Sequence, residues 1–185
     1  MSFSESDYED AADKLGCEVA AVKAVADVES NGATHWQPGN KPPILFEAHW
    51  FAKLTDGRFN DSHPGISSPS WNRALYKGGM AEYGRLEEAK ALDESAALQS
   101  ASWGAFQIMG FHWRRLGYDS PQAMVEDMQT ASGQLAAFVR FIEADPRLKR
   151  AIREQDWQAF ETTYNGGGFA GAYARKIEAA YARHA

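Results

Sequence analysis

The stretch Val22–Gly32 reads Val-Lys-Ala-Val-Ala-Asp-Val-Glu-Ser-Asn-Gly. Val22, Val25 and Ala26 recur at the i, i+3 and i+4 spacing of one helix face, and Glu29 takes the next position on that face. Burying a charged carboxylate is costly, so a glutamate in line with aliphatic side chains must find a partner or take a raised pKa. A carboxyl group held protonated near neutral pH suits a general acid. An exposed glutamate at a frayed helix end is the other interpretation of this segment.

Helical periodicity dominates the rest of the chain and predicts a mainly α protein with at most a small β element. Ser120-Pro121 and Asp145-Pro146 each indicate a helix start, with an N-cap followed by proline at the first helical position. Residues 44–47 indicate either a brief strand or the entry to a helix. Further helices are expected at residues 5–15, 18–29, 80–98 and 106–113 and around Tyr173, Ile177 and Tyr181.

The region at residues 55–79 is predicted to be a long loop excursion, because it collects Gly, Ser, Pro, Asn and Asp with little periodicity. No internal repeat or interdomain linker interrupts the chain. We therefore expect one domain over residues 1–185.

Composition excludes several classes of protein. The chain has 185 residues, is 44% hydrophobic and carries a net charge of −6, which argues against disorder and against general nucleic-acid binding. Cys17 is the single cysteine, so no intrachain disulfide can form. The five histidines form no metal-binding pair, and we expect no metal and no cofactor. No apolar run is long enough for membrane insertion, and the N-terminus does not resemble a signal peptide.

Three segments do not suit plain packing. The first is Glu29-Ser30-Asn31-Gly32. The second, residues 102–110, places Gln107 as a lone polar side chain in an apolar run, where it would need hydrogen-bond partners if buried. The third is Tyr164-Asn165-Gly166-Gly167-Gly168, which has more glycines than a helix end requires and would let a ligand lie close to the backbone.

In this order the three segments resemble motifs of the lysozyme superfamily, especially its goose-type and lytic-transglycosylase branches. Those branches show a Glu-Ser at a helix end, a Gly-x-x-Gln-Ile-Met element and a Tyr-Asn-x-Gly turn. The closer resemblance is to the N-acetylmuramidase domain of phage endolysins and related bacterial proteins. It extends from about Leu15 to Tyr181 and includes residues 44–51 and 97–104. The resemblance implies a single catalytic domain over residues 1–185, with a lysozyme-like helical fold and no separate cell-wall-binding domain.

The resemblance implies cleavage of the β-1,4 bond between N-acetylmuramic acid and N-acetylglucosamine in peptidoglycan. It makes Glu29 the general acid that protonates the leaving oxygen. Glu47 is the candidate second carboxylate, because it also follows an apolar run. The alternative is a structural role, in which Glu47 forms an ion pair with a nearby Arg or Lys. Asp56 and Asp61 are weaker candidates for that role. The substrate-binding residues implied are Ser30, Ser102, Gln107, Tyr164 and Asn165.

Other interpretations stay open at this point. A lytic transglycosylase would use one glutamate and give 1,6-anhydro products, and a catalytically idle lysozyme fold would only bind glycan. We expect a monomer whose partner is the peptidoglycan glycan strand. It would be made in the cytoplasm and act in the periplasm or cell wall after release, either as a phage endolysin or as a secreted bacterial effector. The loop residues Trp36 and Trp71 are candidates for glycan contact.

Overall fold

The computed structural model describes residues 3–30, 36–166 and 170–185, with Ser30 described by its backbone alone. The chain divides into two compact units. The first unit contains Met1–Thr34 and Ala131–Ala185, and the second contains His35–Thr130. This division does not test the expectation of one catalytic domain over the whole chain, which stays a prediction.

Within the described ranges the chain forms ten α-helices and one small antiparallel sheet, which confirms the mainly α prediction. No described helix is long and apolar enough to cross a membrane. Two short 3-10 helices cover Arg73–Leu75 and Gly110–His112. The strands are β1 (Ile44–Phe46), β2 (Ala101–Trp103) and β3 (Ile108–Met109). The helices are α1 (Glu5–Leu15), α2 (Val19–Ser30), α3 (Ala48–Leu54), α4 (Ala81–Leu92), α5 (Glu94–Gln99), α6 (Pro121–Asp127), α7 (Ala131–Glu143), α8 (Pro146–Glu154), α9 (Trp157–Asn165) and α10 (Ala172–His184).

The first unit is a group of helices around α2. Helix α10 packs along α2, α1 packs against both α2 and α7, and α8 packs against α7 and α9. The helix ends follow local chemistry: Ser4 and Asp7 form a capping box at α1, and Gly16 ends that helix in the left-handed conformation at φ +67°. The predicted Asp145-Pro146 start of α8 is also present, with the Asp145 side chain capping the helix. Large buried side chains of this core include Leu15, Leu135, Phe138, Ile142, Leu148 and Phe160.

The second unit packs helices around the small sheet. The strand order is β1-β2-β3, with Ile44 opposite Trp103 and Ser102 opposite Met109. Residues 44–46 are therefore a strand, and Glu47 becomes the N-cap residue of α3. The predicted Ser120-Pro121 start of α6 is present. Large buried side chains of this core include Phe46, Phe51, Leu86, Trp103, Met124 and Met128.

Two helix predictions in this unit were wrong. The expected helix over residues 80–98 ends at Leu92, because Asp93 takes an extended conformation and its carboxylate caps α5 through the N–H of Ala96 at 3.0 Å. The expected helix over residues 106–113 is a turn, strand β3 and a 3-10 helix. Gly110 begins that 3-10 helix, and its close approach to Leu98 requires glycine, because a Cβ there would lie 2.1 Å from the Leu98 carbonyl oxygen. The loop excursion at residues 55–79 is present, with the short 3-10 helix inside it.

A buried ion pair ties the loop excursion to β1. Glu82 and Arg85 on α4 have side chains that are 0% and 3% exposed, and Arg85 Nη1 lies 2.8 Å from Glu82 Oε2. Glu82 also accepts hydrogen bonds from the N–H groups of Phe46, Lys77 and Gly78. Arg85 donates to the carbonyl oxygens of Phe46 and Gly65, at 2.8 and 3.2 Å. Burial alone would raise the pKa of Glu82, but the backbone donors and Arg85 outweigh it and hold that pKa below its usual range.

Replacing Glu82 with Gln should lower the free energy of unfolding by about 3 kcal/mol or more, since the change leaves the Arg85 charge buried and uncompensated. The matched control is Glu87→Gln on the same helix, which breaks the solvent-facing pair of Glu87 with Lys90 and should cost under ~1 kcal/mol. Urea unfolding of the two variants gives the comparison. Equal losses in both variants would contradict a special role for the buried pair.

Candidate active site

Glu29 stands on the last turn of α2, on the face that packs into the core of the first unit. The predicted stripe is buried as expected: Val22 and Val25 are 0% exposed and Ala26 is 1% exposed. Glu29 itself is partly buried. Burial raises the pKa of its carboxyl group from 4.5 to about 7. Glu29 therefore keeps its proton at mildly acidic pH and is about half protonated at pH 7, which suits a general acid.

The side chain that contacts the Glu29 carboxyl group is Tyr173, whose hydroxyl donates a hydrogen bond to Oε1. The sequence pattern had placed Tyr173 on a packing face with Ile177 and Tyr181, so its role at Glu29 was missed. No spacing rule could have found it, because the contact joins residues 144 positions apart. The contact instead depends on how α10 packs along α2.

The start of α10 is held by Glu161 on the neighbouring helix α9. Glu161 is 0% exposed, and its two oxygens accept hydrogen bonds from the N–H groups of Gly171 and Ala174 at 2.9 and 2.7 Å. A carboxylate at this position satisfies donors that α10 leaves unpaired at its N-terminus, and it interacts favourably with the helix dipole. Because Tyr173 lies between these two N–H groups, Glu161 fixes the backbone that carries the Tyr173 hydroxyl.

Tyr164 and Asn165, both predicted to bind substrate, lie at the C-terminal end of α9. The Tyr164 ring stacks on Phe160 and packs edge-on against Phe138 and Phe141, with ring centroids 5.4 to 6.1 Å apart. Burial raises the pKa of Tyr164 well above its usual value, and the charge of Glu29 adds to this shift. The Asn165 Nδ2 atom is buried and has no hydrogen-bond partner among the described residues. The side chain of Ser30 and residues 167 and 168 of the glycine run lie outside the described residues.

In the second unit, Glu47 has two polar neighbours. The Tyr76 hydroxyl donates a hydrogen bond to Glu47 Oε2, and His49 Nδ1 lies 3.2 Å from the same oxygen. Burial and the Glu47 carboxylate raise the pKa of Tyr76 to about 12, so Tyr76 stays protonated as a donor. The Glu47 side chain is 15% exposed. The described nitrogen within 4 Å of the Glu47 carboxylate thus belongs to a histidine, where the structural interpretation had expected Arg or Lys.

Ser102 and Gln107 are bonded to each other inside the β2–β3 hairpin. Ser102 Oγ donates to Gln107 Oε1 at 2.7 Å, and Gln107 Nε2 donates to the carbonyl oxygens of Gly104 and Pro43 at 2.9 and 3.3 Å. Gln107 takes the left-handed conformation at φ +48°, which closes the turn. The amide therefore has the partners that the sequence required, although Gln107 as a whole is exposed. Substrate binding by Ser102 and Gln107 stays a prediction.

Within the described ranges, no group of three or more His, Cys, Asp or Glu side chains is placed so that it could hold a metal ion. The polar groups around Glu29 and Glu47 are hydroxyl, imidazole and carboxyl groups that suit proton transfer and hydrogen bonding.

A family model for N-acetylmuramidases matches residues 18–185. The chain belongs to the N-acetylmuramidase family. It is a peptidoglycan-cleaving enzyme, and the resemblance to the lysozyme superfamily is confirmed. Among solved structures, the chain is similar to the endolysin of the Burkholderia AP3 phage, with 38% sequence identity and a TM-score of 0.91. That match covers 99% of this chain and 71% of the endolysin chain. No curated protein sequence matches this muramidase significantly.

The Tyr173 contact predicts a change in the pH dependence of the enzyme. Tyr173→Phe removes a donor that favours the ionised form of Glu29, so the alkaline limb of the pH–rate profile should move upward by about one pH unit, or ~1.4 kcal/mol. Tyr181→Phe is the matched control, because its hydroxyl on the same helix bonds to the exposed Glu18. The profile is measured by lysis of permeabilised cells. A shift of the same size in both variants would exclude a specific role for Tyr173.

The raised pKa of Glu29 also predicts a pH-dependent stability. Between pH 4.5 and about 7 the folded chain keeps the Glu29 proton whereas the unfolded chain releases it, so stability falls as the pH rises through this window. Glu29→Gln removes this loss and should be more stable than the wild type by up to about 3 kcal/mol at pH 8, but not at pH 4. Urea unfolding at both pH values gives the difference. The exposed Glu9→Gln on α1 should show none.

Proposed function

We propose that this muramidase hydrolyses the β-1,4 bond between N-acetylmuramic acid and N-acetylglucosamine, with Glu29 as the general acid. The observation that carries the proposal is the raised pKa of Glu29 on a buried apolar helix face. Protonating the glycosidic oxygen is the step that such an acid performs in glycoside hydrolysis. The Tyr173 hydroxyl supports the same role, because it holds one carboxyl oxygen and thereby orients the other.

The proposal assigns the base that activates water to Glu47. Its carboxylate is held by the Tyr76 hydroxyl and lies beside His49, so its orientation is restricted while 15% of the side chain stays exposed. A carboxylate with restricted rotation and access to water suits a base better than a freely rotating surface group does.

We assign substrate binding to side chains that lie close to Glu29 or Glu47 in the sequence or that interact with the segments around them. Tyr164 belongs to the electrostatic environment of Glu29, and Asn165, whose buried Nδ2 has no described hydrogen-bond partner, follows it at the end of α9. Ser102 and Gln107 shape the hairpin paired with β1, the strand that ends one residue before Glu47. Ser30 is kept as a proposal from the sequence resemblance.

The biological role proposed is that of a phage endolysin that reaches peptidoglycan after release from the cytoplasm. The similar solved structure is itself a phage endolysin. The chain would act as a monomer on glycan strands, without nucleic acid or membrane insertion. A secreted bacterial effector would share the same domain, and genomic context separates the two roles.

Activity measurements on Glu29→Gln and Glu47→Gln test the assignment. Loss of the acid should lower turnover of purified peptidoglycan by about 10²-fold or more, and loss of the base should lower it by a similar factor. Glu87→Gln, an exposed change on α4, should leave turnover unaffected.

Mass spectrometry of the released muropeptides then decides between hydrolysis and transglycosylation. Reducing N-acetylmuramic acid ends support the proposal, whereas exclusive 1,6-anhydro ends would replace it with a lytic transglycosylase. Full activity of Glu47→Gln together with hydrolytic products would remove Glu47 from the mechanism and leave Glu29 in place. If the wild-type protein binds glycan without cleaving it, the result supports the alternative of a non-catalytic glycan-binding module.

A further inference from the structure

A groove of about 590 Å³ lies along α3 in the second unit. One wall is the α3 face, and the other comes from the loop excursion. Its volume is within the ~300–1,000 Å³ range that small-molecule sites occupy. Two of its lining residues were candidates from the sequence: Trp71 for glycan contact and Asp56, more weakly, for the second carboxylate. We name it the α3 groove; its wall residues include His49, Ala52, Lys53, Asn60, Ser70 and Trp71.

Trp71 presents an unusual surface at this groove. Its side chain is 58% exposed, whereas the other two exposed large apolar side chains of the described surface, Leu54 and Met80, are each 37% exposed. The indole contacts Tyr76 through its ring and a hydrogen bond, but little of it is buried, so much of its surface stays open to a ligand. A flat aromatic face at the edge of a groove can pack against the C–H face of a sugar ring.

The other groups in the α3 groove suit a neutral polar ligand. Lys53 and Asp56 carry opposite formal charges that sum to zero, so the groove has no net attraction for an acidic or a basic peptide. Ser67 donates a 2.6 Å hydrogen bond to Asn60 Oδ1, which orients the Asn60 amide and makes its NH₂ group a donor. Donors of this kind can bind the hydroxyl and acetamido oxygens of an amino sugar.

Two contacts connect the groove to Glu47. The Trp71 ring packs against Tyr76, with centroids 6.2 Å apart, and Tyr76 bonds to the Glu47 carboxylate. On the opposite wall, the His49 ring lies 3.2 Å from Glu47 Oε2. A ligand in the groove would therefore touch His49, which lies beside the candidate base, and Trp71, which packs against the tyrosine that bonds to that base.

We propose that the α3 groove is a saccharide subsite, in which Trp71 stacks on one N-acetylated sugar ring of the glycan strand. This subsite rests on the proposed function in one respect, because it takes the glycan strand, and not the stem peptide, as the part of peptidoglycan that the enzyme binds. It adds a ligand position and a specificity residue that the acid and base assignments do not require.

Binding measured without turnover tests this inference independently of the catalytic assignment. Glu29→Gln serves as the background, and its ligands are peptide-free oligosaccharides of alternating N-acetylglucosamine and N-acetylmuramic acid. Adding Trp71→Ala to this background should raise the Kd for these oligosaccharides about tenfold. Adding Trp71→Phe should give a Kd between those of the background and the alanine variant. Met80→Ala, an exposed apolar change outside the groove, is the matched control and should bind like the background.

In the active enzyme, Trp71→Ala should raise KM for soluble glycan about tenfold with kcat within about twofold. An unchanged dissociation constant in Trp71→Ala would overturn the subsite. Binding of isolated stem peptides in place of glycan, lost with Trp71→Ala, would overturn the sugar assignment. If Glu29→Gln retained full activity but Trp71→Ala still weakened glycan binding, the acid assignment would fail while the subsite stood.

Discussion

A buried carboxylate requires hydrogen-bond donors in place of water. Each compact unit of this muramidase contains a buried glutamate whose donors come from the surrounding backbone. Glu82 accepts the N–H groups of Phe46, Lys77 and Gly78 together with the Arg85 guanidinium. Glu161 accepts the N–H groups of Gly171 and Ala174. These buried acids act on the backbone, so each fixes the path of segments that are distant in sequence.

The same arrangement occurs twice around the candidate catalytic groups. Residues held by Glu82 flank both Glu47, which follows Phe46, and Tyr76, which precedes Lys77. The residues held by Glu161 flank Tyr173. In each unit a buried glutamate thus fixes the backbone around a tyrosine, and that tyrosine bonds to a candidate catalytic glutamate. Rotation of both candidate carboxyl groups is restricted by a neutral donor, which orients them without adding a charge.

The sequence revealed those parts of this arrangement that depend on local periodicity. Glu29 could be found because Val22, Val25 and Ala26 define a buried face, and the helix starts at Pro121 and Pro146 follow from local capping chemistry. Glu82 and Glu161 could not be found, because α4 and α9 carry charged residues whose burial depends on distant backbone donors. Tyr173 was missed for the same reason. The turn at Gln107 was predicted as helix because a positive φ at a non-glycine residue leaves no pattern in the sequence.

Two glutamates of this chain show how donor supply decides protonation. Glu82 is fully buried, yet its pKa is lowered, because the backbone N–H groups of Gly78 and Lys77 and the Arg85 guanidinium favour the charged form. Glu29 is less buried, yet its pKa is raised to about 7, because burial dominates and its described partner is one neutral hydroxyl. Supplying Glu29 with a guanidinium would stabilise the fold at neutral pH and remove the proton that the proposed acid must donate. A scarcity of donors is therefore the condition for the acid role proposed for Glu29, and the lost stability at alkaline pH is its thermodynamic consequence.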